Sequence, residues 1–162
     1  MTGLQAMALT RTGGLMRYWE HPRADDWADV LATFPLFAQV GRRRLRKLVR
    51  KAKLTGFAPG ERVLSKGEST DSLYVILSGT ATAVGTPAPR RLHTGDYFGE
   101  LALVDGAPRS ATVVATEELH VMALPARSVL RVARRQPAVT LAMLRDLSTQ
   151  LRRVEGLAYR PG

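Results

Sequence analysis

The chain has 162 residues, no cysteine and a formal net charge of +10, which predicts one domain and excludes disulfides, thiolate nucleophiles and cysteine-bound metals. No apolar run approaches the roughly 20 residues that cross a bilayer, and the start lacks the basic, apolar and small-residue order of a leader, so a cytoplasmic protein without a transmembrane segment is expected. The three histidines, His21, His93 and His120, are scattered without ligand spacing, and no metal is expected.

In chain order, residues 1–24 carry Gly, Thr, Arg and His without period and are expected to form a loosely ordered arm. A helix opens near Asp25 or Asp26, with acidic residues in its first turn and apolar ones at Trp27, Val30 and Leu31, and it breaks before Pro35. Phe34-Pro35-Leu36-Phe37 is an apolar elbow. Arg42 to Lys53 then holds eight basic residues and no acidic one, with Leu45, Leu48, Val49 and Ala52 at helical spacing. This amphipathic helix presents a basic face that is either simply solvated or a surface for anions.

From Leu54 the pattern changes to short apolar or alternating runs cut by glycine, at Gly60, Gly67, Gly79, Gly85 and Gly95. Strands joined by turns at such intervals predict a sandwich or barrel, here over about 53–124. Leu73-Tyr74-Val75-Ile76-Leu77 is apolar throughout and is expected to be buried on both faces; Thr80 to Val84 follows with period two. Ser110 to Ala115 and Leu119 to Leu124 are two more strands, turning at Thr116-Glu117-Glu118. Helices at about 126–135 and 137–156 close the unit, before a tail of 157–162. In the last helix Leu144, Leu147, Leu151 and Val154 form a heptad-like seam, expected both to pack on the barrel and to pair with a second copy.

The stretch from Gly95 to Val113 carries the chemistry. Gly99 opens a short helix whose first amides lack partners, and Arg109 returns after a tight loop with Ser110 beside it. Donors of this kind suit phosphate, while the carboxylate of Glu100 suits a sugar hydroxyl. Spacing alone leaves a plainer alternative, in which Glu100 favours the helix start and Arg109 pairs with Glu100 or Asp105 on the surface.

Phe98-Gly99-Glu100-Leu101-Ala102-Leu103, followed after five residues by Arg109-Ser110-Ala111, resembles the phosphate-binding cassette of the cyclic nucleotide-binding domain family, which includes the catabolite activator protein and protein kinase A regulatory subunits. The likeness extends through Phe57 to Glu61, Gly67-Glu68, Asp71 to Gly79 and the final helices, about three quarters of the chain. It implies a mainly β fold with flanking helices, a double-stranded β-helix or jelly-roll barrel with N-terminal helices and two C-terminal ones. It also implies roles. Arg109 and Ser110 would hold the exocyclic phosphate with backbone amides of Ala102, Ser110 and Ala111, and Glu100 would accept from the ribose 2′-hydroxyl beside Gly99. Phe98 and Leu101 belong to the same cassette, and Ala81 and Ala83 would leave room for the nucleoside. Val154 and Glu155 fall where relatives place hydroxyl side chains against adenine. Leu64 and Thr70 depart from the family's pattern in a turn, with no effect expected on the pocket.

The implied protein is a non-catalytic sensor of a cyclic nucleotide, cAMP first and cGMP second, with no fused DNA-binding domain. Its output would run through a homodimer built on the C-terminal helix or a separately encoded effector. Two alternatives stay open: a degenerate module that no longer binds, and a polyanion binder for nucleic acid or anionic lipid through the Arg42 to Lys53 helix.

Overall fold

Asp25 and Asp26 sit in the first turn of α1 (Ala24–Ala32), where carboxylates complement the helix dipole, and Trp27, Ala28, Val30 and Leu31 form its buried face. The computed structural model describes residues 23–156; of the arm expected over 1–24 only Arg23 and Ala24 are among them, as the N-cap and first residue of α1, and the tail after Gly156 lies outside them. A single 3-10 turn at Pro35–Phe37 leads into α2 (Arg42–Val49). The basic helix is thus shorter than its sequence pattern, because Lys53 already begins a strand.

Eight strands follow: β1 (Lys53–Phe57), β2 (Arg62–Leu64), β3 (Ser72–Ser78), β4 (Ala81–Val84), β5 (Arg90–Leu92), β6 (Tyr97–Phe98), β7 (Thr112–Ala115) and β8 (Leu119–Pro125). They pair in two antiparallel sheets, ordered β1-β8-β3-β6 and β2-β7-β4-β5. Between β6 and β7 lies α3 (Glu100–Asp105), and α4 (Ala126–Arg135) and α5 (Pro137–Val154) complete the described chain. Two facing sheets with flanking helices make the jelly-roll barrel that the sequence implied.

The continuous apolar run of β3 has a physical reason. Leu73, Val75 and Leu77 join one core with Trp27, Phe37, Leu45 and the helices, while Ile76 joins a second core inside the barrel with Phe98, Val113 and Val121. Successive side chains of a strand point to opposite faces, so a strand between two cores must be apolar on both. β8 divides likewise, with Met122 and Leu124 toward the helices and Leu119 and Val121 inside the barrel.

Three turns repeat one device. Glu61, Glu68 and Asp96 each accept the backbone N–H of the residue three positions earlier, at Ala58, Ser65 and His93, over 2.8, 3.1 and 2.8 Å. Each carboxylate closes its own turn and fixes where the adjoining strands meet.

His120, on β8, lies 3.1 Å from Ser78 Oγ through Nδ1. Burial lowers its pKa below the ordinary 6.5, with Glu118 opposing the shift. The folded state therefore prefers the neutral ring. His120's contribution is fully present above about 6.5 and is lost as pH falls through the lower folded value. Melting followed from about pH 7.5 down to about pH 5 is expected to fall in this window, and a His120→Gln variant to fall less.

Candidate functional site

A cleft of about 470 Å³ opens where the β4–β7 sheet, α3 and α5 converge, a volume within the roughly 300–1,000 Å³ of small-molecule sites. Its walls are largely apolar, from Leu64, Ala83, Phe98, Leu101, Leu147 and Val154, and its polar groups are few, among them Glu100, Arg109, Ser110 and Gln150. Phe98 stacks on Tyr74 with ring centroids 5.2 Å apart, as the β3–β6 register dictates by placing the two residues opposite one another.

Arg109 is 3% exposed. Its backbone is clamped first: Gly67 N–H donates to its carbonyl and its own N–H to the carbonyl of Glu68, both at 2.8 Å. The side chain then runs inward, where Nε donates to Thr70 Oγ1 at 2.6 Å, Nη1 to the Gly99 carbonyl at 2.9 Å and Nη2 to the Ser72 carbonyl at 2.7 Å. The guanidinium carbon lies 5.7 Å from the centre of the Tyr74 ring. Burial lowers its pKa, opposed by Tyr74, Glu100, Asp71 and Glu68. A guanidinium has five N–H donors; with three engaged, one on each Nη remains.

Gly99 is what lets this group come so close. Its φ of 88° is left-handed, and a Cβ there would lie 2.4 Å from Arg109 Nη1 and 3.0 Å from the Ser72 carbonyl. No side chain caps α3 at Gly99, so the amides of its first turn have no partners within the helix. Glu100, 4% exposed, starts that helix, and its Oε1 accepts from Gln150 Nε2 of α5 at 3.0 Å. One helical turn earlier, Asp146 Oδ2 accepts from Tyr97 Oη at 2.5 Å. Burial and Asp146 raise the Tyr97 pKa, so the phenol keeps its proton and remains a donor.

The pattern-level family model for the cyclic nucleotide-binding domain matches residues 54–136. The chain belongs to the cyclic nucleotide-binding domain family. Relatives include a cyclic nucleotide-gated potassium channel of Rhizobium etli, 33% identical over 76% of this chain and 36% of the channel, and a cAMP-dependent protein kinase regulatory subunit of Colletotrichum orbiculare, 32% identical over 60% of this chain and 26% of the subunit. The chain thus spans about a third or less of the curated relatives it matches. Among solved structures, the Thermus thermophilus catabolite activator protein matches with a TM-score of 0.63 and 27% identity over 75% of this chain and 60% of that one. The regulatory domain of Toxoplasma gondii protein kinase A, solved with cAMP, shares the fold with a TM-score of 0.69 at 24% identity, over 78% of this chain and 50% of that one.

The cyclic nucleotide-binding domain brings most of the sequence-read residues to one place. Phe98, Gly99, Glu100, Leu101, Ala102, Arg109, Ser110, Ala111, Ala83 and Val154 all line the cleft. Glu155 does not; it is the exposed C-cap of α5. Ala81 is fully buried in the barrel core, because β4 begins there and only its next inward residue, Ala83, reaches the cleft. The surface pairing of Arg109 with Glu100 or Asp105 is not formed.

Two expectations need correction. Leu64 and Thr70 are not neutral to the pocket: Leu64 lines it and Thr70 holds Arg109. The α5 seam does not pack on the barrel as core. The helix buries only Val139 and Met143, near its start, while Leu147, Leu151 and Val154 border the cleft and Leu144 is exposed. Gln150 was missed for a related reason. It lies three residues after Leu147 and four before Val154, on the same helical face, but reading the face by its apolar members passes over a polar one.

Proposed function

We propose that this domain, over about 25–156, is a non-catalytic sensor of a cyclic nucleotide, cAMP in preference to cGMP. What carries the reading is the arrangement of Arg109 and Glu100: opposite charges, both buried at one cleft and each held by its own protein partners instead of by the other. A cyclic phosphate would take the remaining Arg109 donors together with Ser110 and the amides of Ala102, Ser110 and Ala111. The ribose 2′-hydroxyl would donate to Glu100, and the base would lie among Leu147, Leu151 and Val154, an apolar contact where relatives use hydroxyls. Because Glu100 also binds Gln150, a change at the phosphate end would reach α5 directly. The output would then pass to a separately encoded effector or to a second copy through the exposed leucines of α5, which sedimentation with and without cAMP tests.

Isothermal titration with cAMP and cGMP checks the reading, and binding of cAMP is the expected result. A sharper test is 2′-deoxy-cAMP. Loss of a hydrogen bond to a charged acceptor is worth about 1.5–3 kcal/mol, so the analogue is expected to bind the native protein about 10- to 100-fold more weakly than cAMP. In Glu100→Ala the two ligands are expected to bind alike. Equal affinities of both ligands for the native protein would remove Glu100 from the ribose site.

A second reading, a barrel that no longer binds nucleotide and serves as an interaction module, draws on one observation: Thr70, Ser72, Gly99 and Gln150 already occupy much of the capacity of Arg109 and Glu100. Absence of heat with either nucleotide would select it.

A further inference from the structure

The basic helix has two faces with different electrostatics. Arg42 and Arg46 pair with Asp29 and Asp25 of α1, at 2.9 and 3.2 Å. Arg43, Arg44, Lys47, Arg50 and Lys51 make no ion pair among the described residues, and they line a groove of about 810 Å³. Its other wall is α4, whose Arg131 and Arg135 also line it together with Ser128. Those two arginines continue, with Arg127 and Arg134, into an adjoining depression. No acidic residue lines either concavity, and neither shares a lining residue with the nucleotide cleft.

Such a surface opposes the stability of the fold. Arg127, Arg131 and Arg135 recur at i, i+4 and i+8, where like charges on one helix face repel. Arg42, Arg43 and Arg44 occupy the first turn of α2, whose N-cap is Gly41 with no capping side chain, so cations sit at the positive end of the dipole. An anion along the groove would relieve the repulsion on α4 and the unfavourable charge at the start of α2 together.

We propose that the α2–α4 groove binds the phosphate backbone of duplex nucleic acid without reading its sequence. The charges extend along both helices, further than one small anion could engage. On α4 the arginine stripe repeats about every 6 Å, close to the separation of successive phosphates on one strand. Basic side chains line both walls, so a duplex lying across the groove would bring phosphates to each row of cations. Among the described residues the exposed large apolar side chains are Leu101, Val104, Leu141, Leu144, Leu151 and Val154, all on α3 and α5, so the groove itself presents no exposed apolar anchor for lipid. It has no aromatic side chain on which an unpaired base could stack, which favours the duplex.

The experiment is fluorescence anisotropy of a short labelled DNA duplex of mixed sequence with the full chain. Engagement of four or more phosphates predicts a loss of at least about 100-fold in affinity between about 50 and about 200 mM salt. Arg131→Gln with Arg135→Gln is expected to weaken binding at least about tenfold and flatten the salt dependence. Arg42→Gln with Arg46→Gln removes the same net charge from the paired face and is expected to change affinity less than about twofold. Equal losses in the two variants would reduce the effect to net charge and overturn the site. So would no measurable binding to the duplex, or tighter binding to phosphatidylserine vesicles than to duplex at matched phosphate concentration.

Discussion

Replacing Arg109 with alanine is expected to weaken cAMP binding at least about 100-fold and to destabilise the fold by about 3 kcal/mol. The first effect follows from losing two charge-assisted donors at the phosphate, each worth about 1.5–3 kcal/mol. The second arises because Arg109 is also structural: without it the carbonyls of Gly99 and Ser72 lose their donors in a buried setting, at about 1–3 kcal/mol for each group left unmet. Titration calorimetry and denaturant unfolding separate the two. Arg109→Lys keeps the charge, but one ammonium cannot span Thr70, Gly99 and Ser72, so it should recover part of the affinity and little of the stability. Native affinity in Arg109→Ala, with the variant shown to be folded, would refute the assignment of this side chain to the phosphate.

Gly79→Ala is expected to be the most damaging single-methyl change in the β3–β4 turn. Its φ is 86°, and an added Cβ would stand 2.1 Å from the carbonyl oxygen of Glu118 and 3.0 Å from the Cα of Leu119. The left-handed conformation costs a non-glycine residue about 1–2 kcal/mol, and the overlap with main chain, which has no rotamer to change, adds about 1–3 kcal/mol. A total near 3 kcal/mol corresponds to a melting temperature lower by about 10 °C for a domain of this size. Scanning calorimetry checks it. Ser78, Gly79 and Thr80 do not line the cleft, so nucleotide affinity of the folded fraction should be nearly unchanged. An unaltered melting temperature would mean that the turn and the Glu118 backbone separate readily.

The barrel was legible because its information is local. The period-two burial of Ala81 to Val84 and the doubly buried run of β3 both follow from strand geometry acting on neighbouring residues. The cassette was legible as a compact run, with Gly99 and Arg109 ten positions apart. Spacing alone left Arg109 as possible surface charge; the family resemblance gave it a role. Thr70 and Gln150 could not be found this way, since they meet Arg109 and Glu100 across separations of 39 and 50 residues, and no local period encodes which distant side chain closes a buried hydrogen bond. The α5 seam misled for another reason. Helical spacing identifies residues that share a face, but whether that face meets a core or borders a cleft is decided by the barrel beneath it.

The two bonds from Tyr97 to Asp146 and from Gln150 to Glu100 involve residues one turn apart on the same helix. A rod pinned at successive turns resists rolling and sliding while both pins hold, whereas loss of one leaves it free to turn about the other. If a ligand engages Glu100 as proposed, freeing Gln150 would remove one of the two pins, and the helix would answer as a catch released and not as a dial turned.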